Sequence, residues 1–435
     1  MRHVIVMTAT GSIGLMALFV VDLFSLFYVS LLSDQALKAG VGYASNVMFL
    51  AMSVNIGMTI AIAASVSRAL GAGDRPRARR LAASGLTLTA ILAACVGLGL
   101  FLARDWILVV LLHASGKPAE VASRFLAITL PANVPMGVGM AFSGVLRAAG
   151  DARRAMYVTL SGGIATAFLD PLLIFGLGLG VYGAAWATVA SRFVFFGVGA
   201  YGAHRVHRLV ARPAPGDVLR DVKPVMSVGL PSILANLATP VGIFYSTRVV
   251  SDFGESAIAA AAVIDRVSPV MFGVVFALTG SIGPIIGQNF GARLMSRVRQ
   301  TILDSMKFSM GYVAVAWTIL IFVAPWIALA FDARGESADY LRFFCTFGVS
   351  VWVGLTALFV ANTVFNNLGY AFLAMVFNWG RATLGTIPFV AYGAHGWGVR
   401  GAMMGGALGS ALFGLAATIT AFSITSRLAK SVEAS

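Results

Sequence analysis

The chain has 435 residues, of which 59% are hydrophobic and only 11% charged, and its mean hydropathy is +0.88. A typical soluble domain carries about 25% charged residues, so the composition excludes an ordinary soluble protein. The net charge of +14 would suit a nucleic-acid partner in a soluble protein. Here the Arg and Lys residues occupy short segments between apolar runs, as in membrane proteins. We therefore expect a lipid bilayer around most of the chain and no nucleic-acid partner.

Apolar windows recur along the whole chain. A hydrocarbon core about 30 Å thick needs about 20 apolar residues of helix. Windows of this length predict an all-α polytopic membrane protein with twelve transmembrane helices, at residues 4–31, 41–66, 81–103, 121–147, 155–177, 182–204, 224–250, 257–285, 301–330, 339–367, 371–392 and 397–426. The first span shows no small-residue cleavage site, so we expect it to stay as an anchor.

The basic residues predict the orientation. They follow the even-numbered spans, as Arg75, Arg77, Arg79 and Arg80; Arg147, Arg153 and Arg154; Arg205, Arg208, Arg212, Arg220 and Lys223; and Arg293, Arg297 and Arg299. The odd-numbered loops are richer in acid. Because cytoplasmic loops carry the excess of Lys and Arg, we expect both termini on the cytoplasmic side of the cell inner (plasma) membrane.

The longest polar stretch, 206–223, predicts a cytoplasmic linker between two lobes. Residues 1–205 would form an N-lobe of helices 1–6, and residues 224–435 a C-lobe of helices 7–12. Similar segments recur in the two halves at a nearly constant spacing, which pairs Gly71 with Gly291, Gly150 with Gly369, and Gly183 with Gly401. Six spans per half give a parallel repeat, which is typical of transporters in which two bundles enclose a cavity and expose it to each membrane face in turn.

Among the acidic residues inside predicted spans, two lie deep within apolar sequence. An Asp at the centre of a membrane helix costs about 2.5–3.5 kcal/mol, so such residues are candidates for function. Asp22 lies in span 1 and Asp170 in span 5. If they face one pocket they could share a proton or hold one small cation, as an antiporter requires. The alternative for each is a purely structural hydrogen bond.

Embedded amides are further candidates for a substrate cavity: Asn46, Asn133, Asn236 and Asn362. Hydrogen bonds between helices are the commoner role of such residues. The chain carries no Walker-type loop and no His-Glu-x-x-His motif, and Gly71–Asp74 lacks the Lys of a phosphate loop. We therefore expect no enzyme activity and no cofactor, and an ion gradient as the source of energy.

Several motifs occur in the order typical of one family. They are Val21-Asp22, Arg68–Asp74, Gly287–Ala292, Leu146–Asp151, Leu169–Gly176 and Gly183–Thr188. Together they resemble the multidrug and toxic compound extrusion (MATE) family. The resemblance implies a V-shaped transporter of twelve helices in two bundles. It would export organic, cationic and lipophilic compounds in exchange for protons or sodium ions.

The resemblance also implies a coupling site. One branch of the family, similar to the DNA-damage-inducible protein, has an N-lobe cation site with ligands in spans 1, 5 and 6, which match Asp22, Asp170 and Thr188. These residues would hold Na⁺ if sodium is the coupling ion. Thr166 stands where the family commonly has Asn, which favours protons. A second branch uses acids in spans 7 and 10. Here span 7 has Asn236 and no acid, and the body of span 10 has none, so the resemblance is to the N-lobe type.

Two alternatives stay open at this point. A flippase for lipid-linked oligosaccharides shares the two-lobe plan, and it would use a cavity rich in Arg to hold pyrophosphate; the candidates are Arg192, Arg248, Arg266 and Arg381. A membrane scaffold without transport is the other. The favoured prediction is a multidrug efflux antiporter that works as a monomer, with a small organic substrate and H⁺ or Na⁺ as its partners in the bilayer.

Overall fold

The computed structural model describes residues 2–31 and 34–433, and this part of the chain is helical with no β-strand. Its α-helices are α1 (Arg2–Leu31), α2 (Gln35–Gly71), α3 (Arg75–Trp106), α4 (Gly116–Thr129), α5 (Asn133–Ala148), α6 (Ala152–Pro171), α7 (Val181–Ala200), α8 (Pro215–Ser251), α9 (Glu255–Gly291), α10 (Met295–Ala330), α11 (Glu336–Thr346), α12 (Val351–Leu368), α13 (Ala371–Ala382) and α14 (Ile387–Glu433). Short 3₁₀ or π turns extend or join several of them.

The helices account for the predicted membrane crossings. Among the described residues, 11 segments are long and apolar enough to span a bilayer. The last of them, Ala371–Val432, is 62 residues long, and its backbone leaves helical geometry at Trp397 and Gly398. It is therefore long enough for two crossings, which is consistent with twelve spans. The prediction of an all-α polytopic membrane protein is confirmed.

The contacts divide the chain into two compact units. The N-unit is Ile13–Ile233, and the C-unit is Met1–Ser12 together with Leu234–Ser435. Both α1 and α8 contribute residues to each unit. The lobe limits predicted from the polar linker at 206–223 stay a prediction.

The backbone repeats along the chain with the spacing found in the sequence. Positive φ angles occur at corresponding loop positions of the two halves, and in two of the five pairs the residue types differ. The corresponding pairs are Gly73 and Arg293, His113 and Asp332, Gly116 and Gly335, Gly150 and Gly369, and Gly180 and Gly398. Because a positive φ is uncommon outside glycine, this match identifies the loops as equivalent structures.

On the predicted cytoplasmic side, two loops are followed by helices whose first turns are capped by an Asp side chain. Asp74 and Asp151 begin α3 and α6, and their carboxylates accept hydrogen bonds from the backbone N–H groups of Arg77 and Arg154 at 2.9 and 3.0 Å. Burial alone would raise the pKa of Asp151. The hydrogen bonds from Arg154 and His207 outweigh burial and hold that pKa below its usual value.

A buried ion pair ties the start of α8 to α3 within the N-unit. Asp221 is 2% exposed, and its Oδ2 accepts hydrogen bonds from Arg80 Nε at 3.1 Å and Ser84 Oγ at 2.9 Å. Hydrogen bonds to charged groups are stronger than those between neutral groups. This contact therefore anchors the first turns of α8, which is one of the two helices that contribute residues to both units.

We predict that Asp221→Asn lowers the free energy of unfolding by about 1.5–3 kcal/mol, because it removes the charge that Arg80 and Ser84 both contact. The thermal unfolding midpoint of the purified protein in detergent measures this loss. Asp217→Asn removes the same charge one helical turn earlier in α8 and should leave the midpoint unchanged. Equal midpoints for the two variants would contradict the anchoring role.

Glycines allow the helices of the C-unit to pack closely. A Cβ on Gly354 of α12 would overlap the backbone of Ser410, and one on Gly409 would overlap the carbonyl of Gly385. Between lipid-embedded helices, small residues permit the close backbone approach that replaces the hydrophobic effect. Larger side chains fill the rest of the core, including Phe272, whose ring stacks on Trp352 at a centroid distance of 4.3 Å.

Candidate functional site

Asp170 lies near the end of α6, where Pro171 interrupts the regular hydrogen bonding and a π turn follows over Leu172–Gly176. Its side chain is buried, with 1% exposed. One carboxylate oxygen, Oδ2, accepts a hydrogen bond from the hydroxyl of Ser25 on α1. The other, Oδ1, is buried and has no hydrogen-bond partner among the residues that the structure describes. The carboxyl group is therefore only half satisfied.

Helix α1 packs along α6 in the segment that precedes Ser25. A Cβ built on Gly14 would lie 3.1 Å from Cγ of Met156, and one built on Gly163 would lie 3.6 Å from Cγ2 of Val21. The small glycines let the two helices approach closely. The backbone of Asp22 lies in α1 between Val21 and Ser25, whereas its side chain lies outside the described part of the structure. The predicted pairing of Asp22 with Asp170 stays a prediction.

The two threonines predicted for the site lie on α6 and α7. The hydroxyl of Thr166 donates to the carbonyl of Gly162 at 3.1 Å, and that of Thr188 donates to Ala184 at 2.9 Å. Each hydroxyl has one hydrogen, so neither threonine also donates to Asp170. The role of both threonines at a cation site stays a prediction. No group of three or more His, Cys, Asp or Glu residues is placed to hold a metal ion in the described regions.

The amides predicted for a substrate cavity are divided between the units. Asn46 is exposed on α2, whereas Asn133 is buried at the start of α5. Asn133 donates to the carbonyl of Ala93 and accepts from Nδ2 of Asn55, both at 2.9 Å. In the C-unit, Asn236 is partly buried on α8, and Asn362 is buried on α12 with its Oδ1 unpartnered. Their role in binding substrate stays a prediction.

The bonds of Asn133 predict a structural cost that can be measured separately from transport. Asn133→Leu leaves the Ala93 carbonyl and the Asn55 amide without their partner, and we expect a loss of about 0.6–1.7 kcal/mol in the free energy of unfolding. Transport per folded molecule should be retained. Thermal unfolding and efflux, both normalised to the folded fraction, measure these effects. Loss of efflux from a stable Asn133→Leu protein would instead make Asn133 a substrate ligand.

Arg192 of α7 has a clear structural partner. Its Nη1 donates to the carbonyl of Thr129 at 2.6 Å. That carbonyl ends α4, just before the 3₁₀ turn Leu130–Ala132, where Asn133 N–H bonds Leu130 instead. The guanidinium thus satisfies a carbonyl that the break in span 4 leaves free.

Ser25 was not predicted as a site residue. A serine in an apolar helix is common, and a bond to a residue 145 positions away is not visible in the sequence. Its spacing of three residues from Asp22 was the only available signal, because residues three apart share a helix face.

Comparisons with known proteins agree with this architecture. A family model described as MatE matches residues 12–172 and again 231–391, in agreement with the repeat seen in the sequence. A protein from Shewanella oneidensis named FAD transporter is 29% identical over 431 residues, covering 95% of this chain and 93% of the relative. A probable multidrug resistance protein NorM from Thermotoga maritima is 27% identical over 318 residues, covering 71% and 68%.

The fold is also shared with solved structures. The Vibrio cholerae MATE transporter VcmN in its bent form superposes with a TM-score of 0.91 at 22% identity, covering 98% of this chain and 97% of that one. A multi-pass helical membrane protein with these relatives is a transporter of the efflux class. The two matches to the family model cover well over half of the sequence, and the chain belongs to the MATE family.

Proposed function

We propose that the protein is a secondary active antiporter that exports organic compounds across the cell inner membrane in exchange for protons or sodium ions. Family membership supports efflux. The coupling mode is supported by one observation, the buried Asp170 carboxyl, which has one oxygen bonded to Ser25 and the other without a partner among the described residues. In this proposal both termini are cytoplasmic, the protein acts as a monomer, and no cofactor takes part.

The Asp170 carboxyl needs neutralisation. A carboxylate inside a membrane helix is costly, and one hydroxyl donor is a weak compensation for the lost water. A proton removes the charge, and a small cation balances it. The group therefore takes up a proton or a cation from whichever membrane face has access to it. Thr166 in place of the family's Asn offers a hydroxyl instead of an amide oxygen and favours the proton.

Neutralisation of Asp170 would act through α1. A hydrogen bond to a charged acceptor is about twice as strong as one between neutral groups, so protonation weakens the hold of Asp170 on Ser25. The helix α1 contributes residues to both units, which makes it a suitable element for transmitting the change. The position of α1 would then differ with and without the bond to Asp170. Alternating access follows if these two positions stabilise conformations that open to opposite membrane faces.

The substrate class has two candidates. The family resemblance led to the expectation of lipophilic cations, and one relative is named a probable multidrug resistance protein. The relative that covers 95% of this chain is named FAD transporter, and FAD is an organic anion with two phosphates. The buried Arg381, whose Nε has no partner among the described residues, favours an anion as the second candidate. Either substrate is compatible with coupling at Asp170, because the ion acts through α1 rather than by direct displacement.

Efflux from everted membrane vesicles tests the proposal. Collapsing the proton gradient with a protonophore should stop accumulation of substrate, whereas collapsing only the sodium gradient should leave it unchanged if protons are the coupling ion. The reverse result would assign sodium. Accumulation that persists with both gradients collapsed would contradict antiport.

A further inference from the structure

Arg381 is a buried cation in the C-unit. It lies in the last turn of α13, and its side chain is 9% exposed. Its Nε has no hydrogen-bond partner, and the ion pairs found among the described side chains do not include Arg381. This differs from Arg192, which is bonded to a backbone carbonyl. A buried guanidinium without a counter-ion is costly, so its presence needs a reason.

Span 11 is broken next to Arg381. The helix α13 ends at Ala382, the residues 383–386 form a turn, and α14 begins at Ile387. Pro388 has no N–H to offer the carbonyl of Leu384, which explains why the helix cannot continue regularly. The length of α13 corresponds to a rise of about 18 Å, so the break lies near the middle of a hydrocarbon layer about 30 Å thick. Broken helices at this depth form substrate sites in other transporters.

The neighbouring helix α12 presents a second unsatisfied group at the same depth. The rings of Phe365 and Phe377 stack with centroids 5.6 Å apart, which sets the antiparallel register of α12 against α13. In that register Asn362 lies opposite residue 380, one position from Arg381. Asn362 is buried and its Oδ1 lacks a donor. This register predicts a buried donor on α13 and a buried acceptor on α12 at about one level, and neither atom has a partner among the described residues.

The other groups nearby are neutral. Asn378 is buried three residues before Arg381, on the same face of α13, and its Nδ2 bonds to the carbonyl of Ala374 at 2.7 Å. Thr386 uses its hydroxyl on the carbonyl of Arg381 at 2.9 Å. These two neighbours in sequence supply an amide and a hydroxyl, and neither carries a charge that would balance Arg381. Such a set suits a planar or tetrahedral anion, because Arg offers a fork of N–H donors that matches phosphate.

We propose that Arg381, at the break in span 11 and level with Asn362, binds the phosphate group of an organic anion that the protein exports. This inference rests on the transport function proposed above and names the substrate class as organic phosphates. The positive charge supplies the attraction, and Asn362 accepts a hydrogen bond from a hydroxyl or N–H of the same molecule. A flavin nucleotide, which carries phosphate together with hydroxyl and N–H groups, has this chemistry.

Binding to the purified protein in detergent tests the site without any gradient. The probes are FMN and riboflavin, which share a ring and differ by the phosphate, with binding followed by the fluorescence anisotropy of the flavin. Wild-type protein should bind FMN more tightly than riboflavin. Arg381→Met should weaken FMN binding by about 10- to 100-fold, the usual effect of losing hydrogen bonds to a charged group, and leave riboflavin binding unchanged.

Three controls separate the loss of the site from a folding defect and from a general effect of charge. Arg381→Met should keep or raise the thermal unfolding midpoint without ligand, because it removes an uncompensated buried charge. Arg381→Lys keeps the charge without the fork and should weaken FMN binding by less than Arg381→Met does. Arg427→Gln removes an exposed charge near the end of α14 and should leave FMN binding unchanged.

The outcomes distinguish this inference from the antiport proposal. Asp170→Asn should bind FMN normally and fail only in gradient-driven transport. Equal affinity of the wild-type protein for FMN and riboflavin, or undiminished FMN binding by a folded Arg381→Met variant, would overturn the phosphate site. Intact FMN binding with no gradient-driven transport by the wild-type protein would instead overturn the antiport proposal and leave this site in place.

Discussion

Replacement of Asp170 by Asn is expected to reduce gradient-driven efflux to the level of vesicles that lack the protein. The amide is nearly the same size as the carboxyl group, so the packing of α6 against α1 is retained. It carries no charge at any pH, so it takes up no proton and cannot balance the charge of a bound cation. The fold should be unaffected, because a half-satisfied buried carboxylate is itself unfavourable. Efflux and the thermal unfolding midpoint, measured on the same preparations, check both parts.

Two variants accompany Asp170→Asn. Asp265→Asn removes an acid that lies in α9 but is exposed, and it should leave coupled efflux intact. Ser25→Ala keeps the carboxyl group but removes the bond through which its neutralisation reaches α1, so coupled efflux should fall. Normal gradient-driven efflux by Asp170→Asn would exclude Asp170 as the coupling group.

Replacement of Gly409 by Ala is expected to destabilise the C-unit strongly, by about 3 kcal/mol or more, because overpacking against backbone cannot be relieved by a change of rotamer. A Cβ at this position overlaps the carbonyl oxygen of Gly385 at the break in span 11. The second half of α14 would have to move away from the turn at 383–386. The thermal unfolding midpoint in detergent and the yield of folded protein measure the effect.

Gly406 provides the matched control for this prediction. It lies three residues earlier in α14, and a Cβ there would approach only Cγ2 of Val390, at 3.7 Å. Gly406→Ala should therefore be neutral or slightly stabilising, because Ala is also the better helix former. If Gly409→Ala were as stable as Gly406→Ala, the close backbone packing of span 11 would be contradicted.

The membrane fold was predictable because its signals are local. Apolar windows and the alternation of basic loops depend only on nearby residues, and the nearly constant spacing of the repeat is found without any contact information. Helix limits were less predictable. The predicted span 41–66 corresponds to α2 over Gln35–Gly71, which is longer because helical hydrogen bonds continue beyond the apolar window into polar surroundings.

The partners of the buried polar groups could not be predicted from the sequence. Arg192 and Arg381 are alike in sequence, as arginines within apolar spans. The structure distinguishes the two. The break in span 4 leaves a backbone carbonyl free to bind Arg192, whereas Nε of Arg381 has no partner among the described residues. Asp170 was identified from its unusual position in an apolar helix. Its donor Ser25 became visible only when the packing of α1 on α6 was known.

The most direct test of ion coupling at Asp170 is proton movement during substrate transport by the purified protein in liposomes. A pH-sensitive dye inside the vesicles should report protons moving opposite to the substrate when a substrate gradient is imposed without sodium. Asp170→Asn should abolish that signal. Substrate flux through the wild-type protein without any counterflow of protons or sodium, or proton counterflow that persists in Asp170→Asn, would contradict coupling at this carboxyl group.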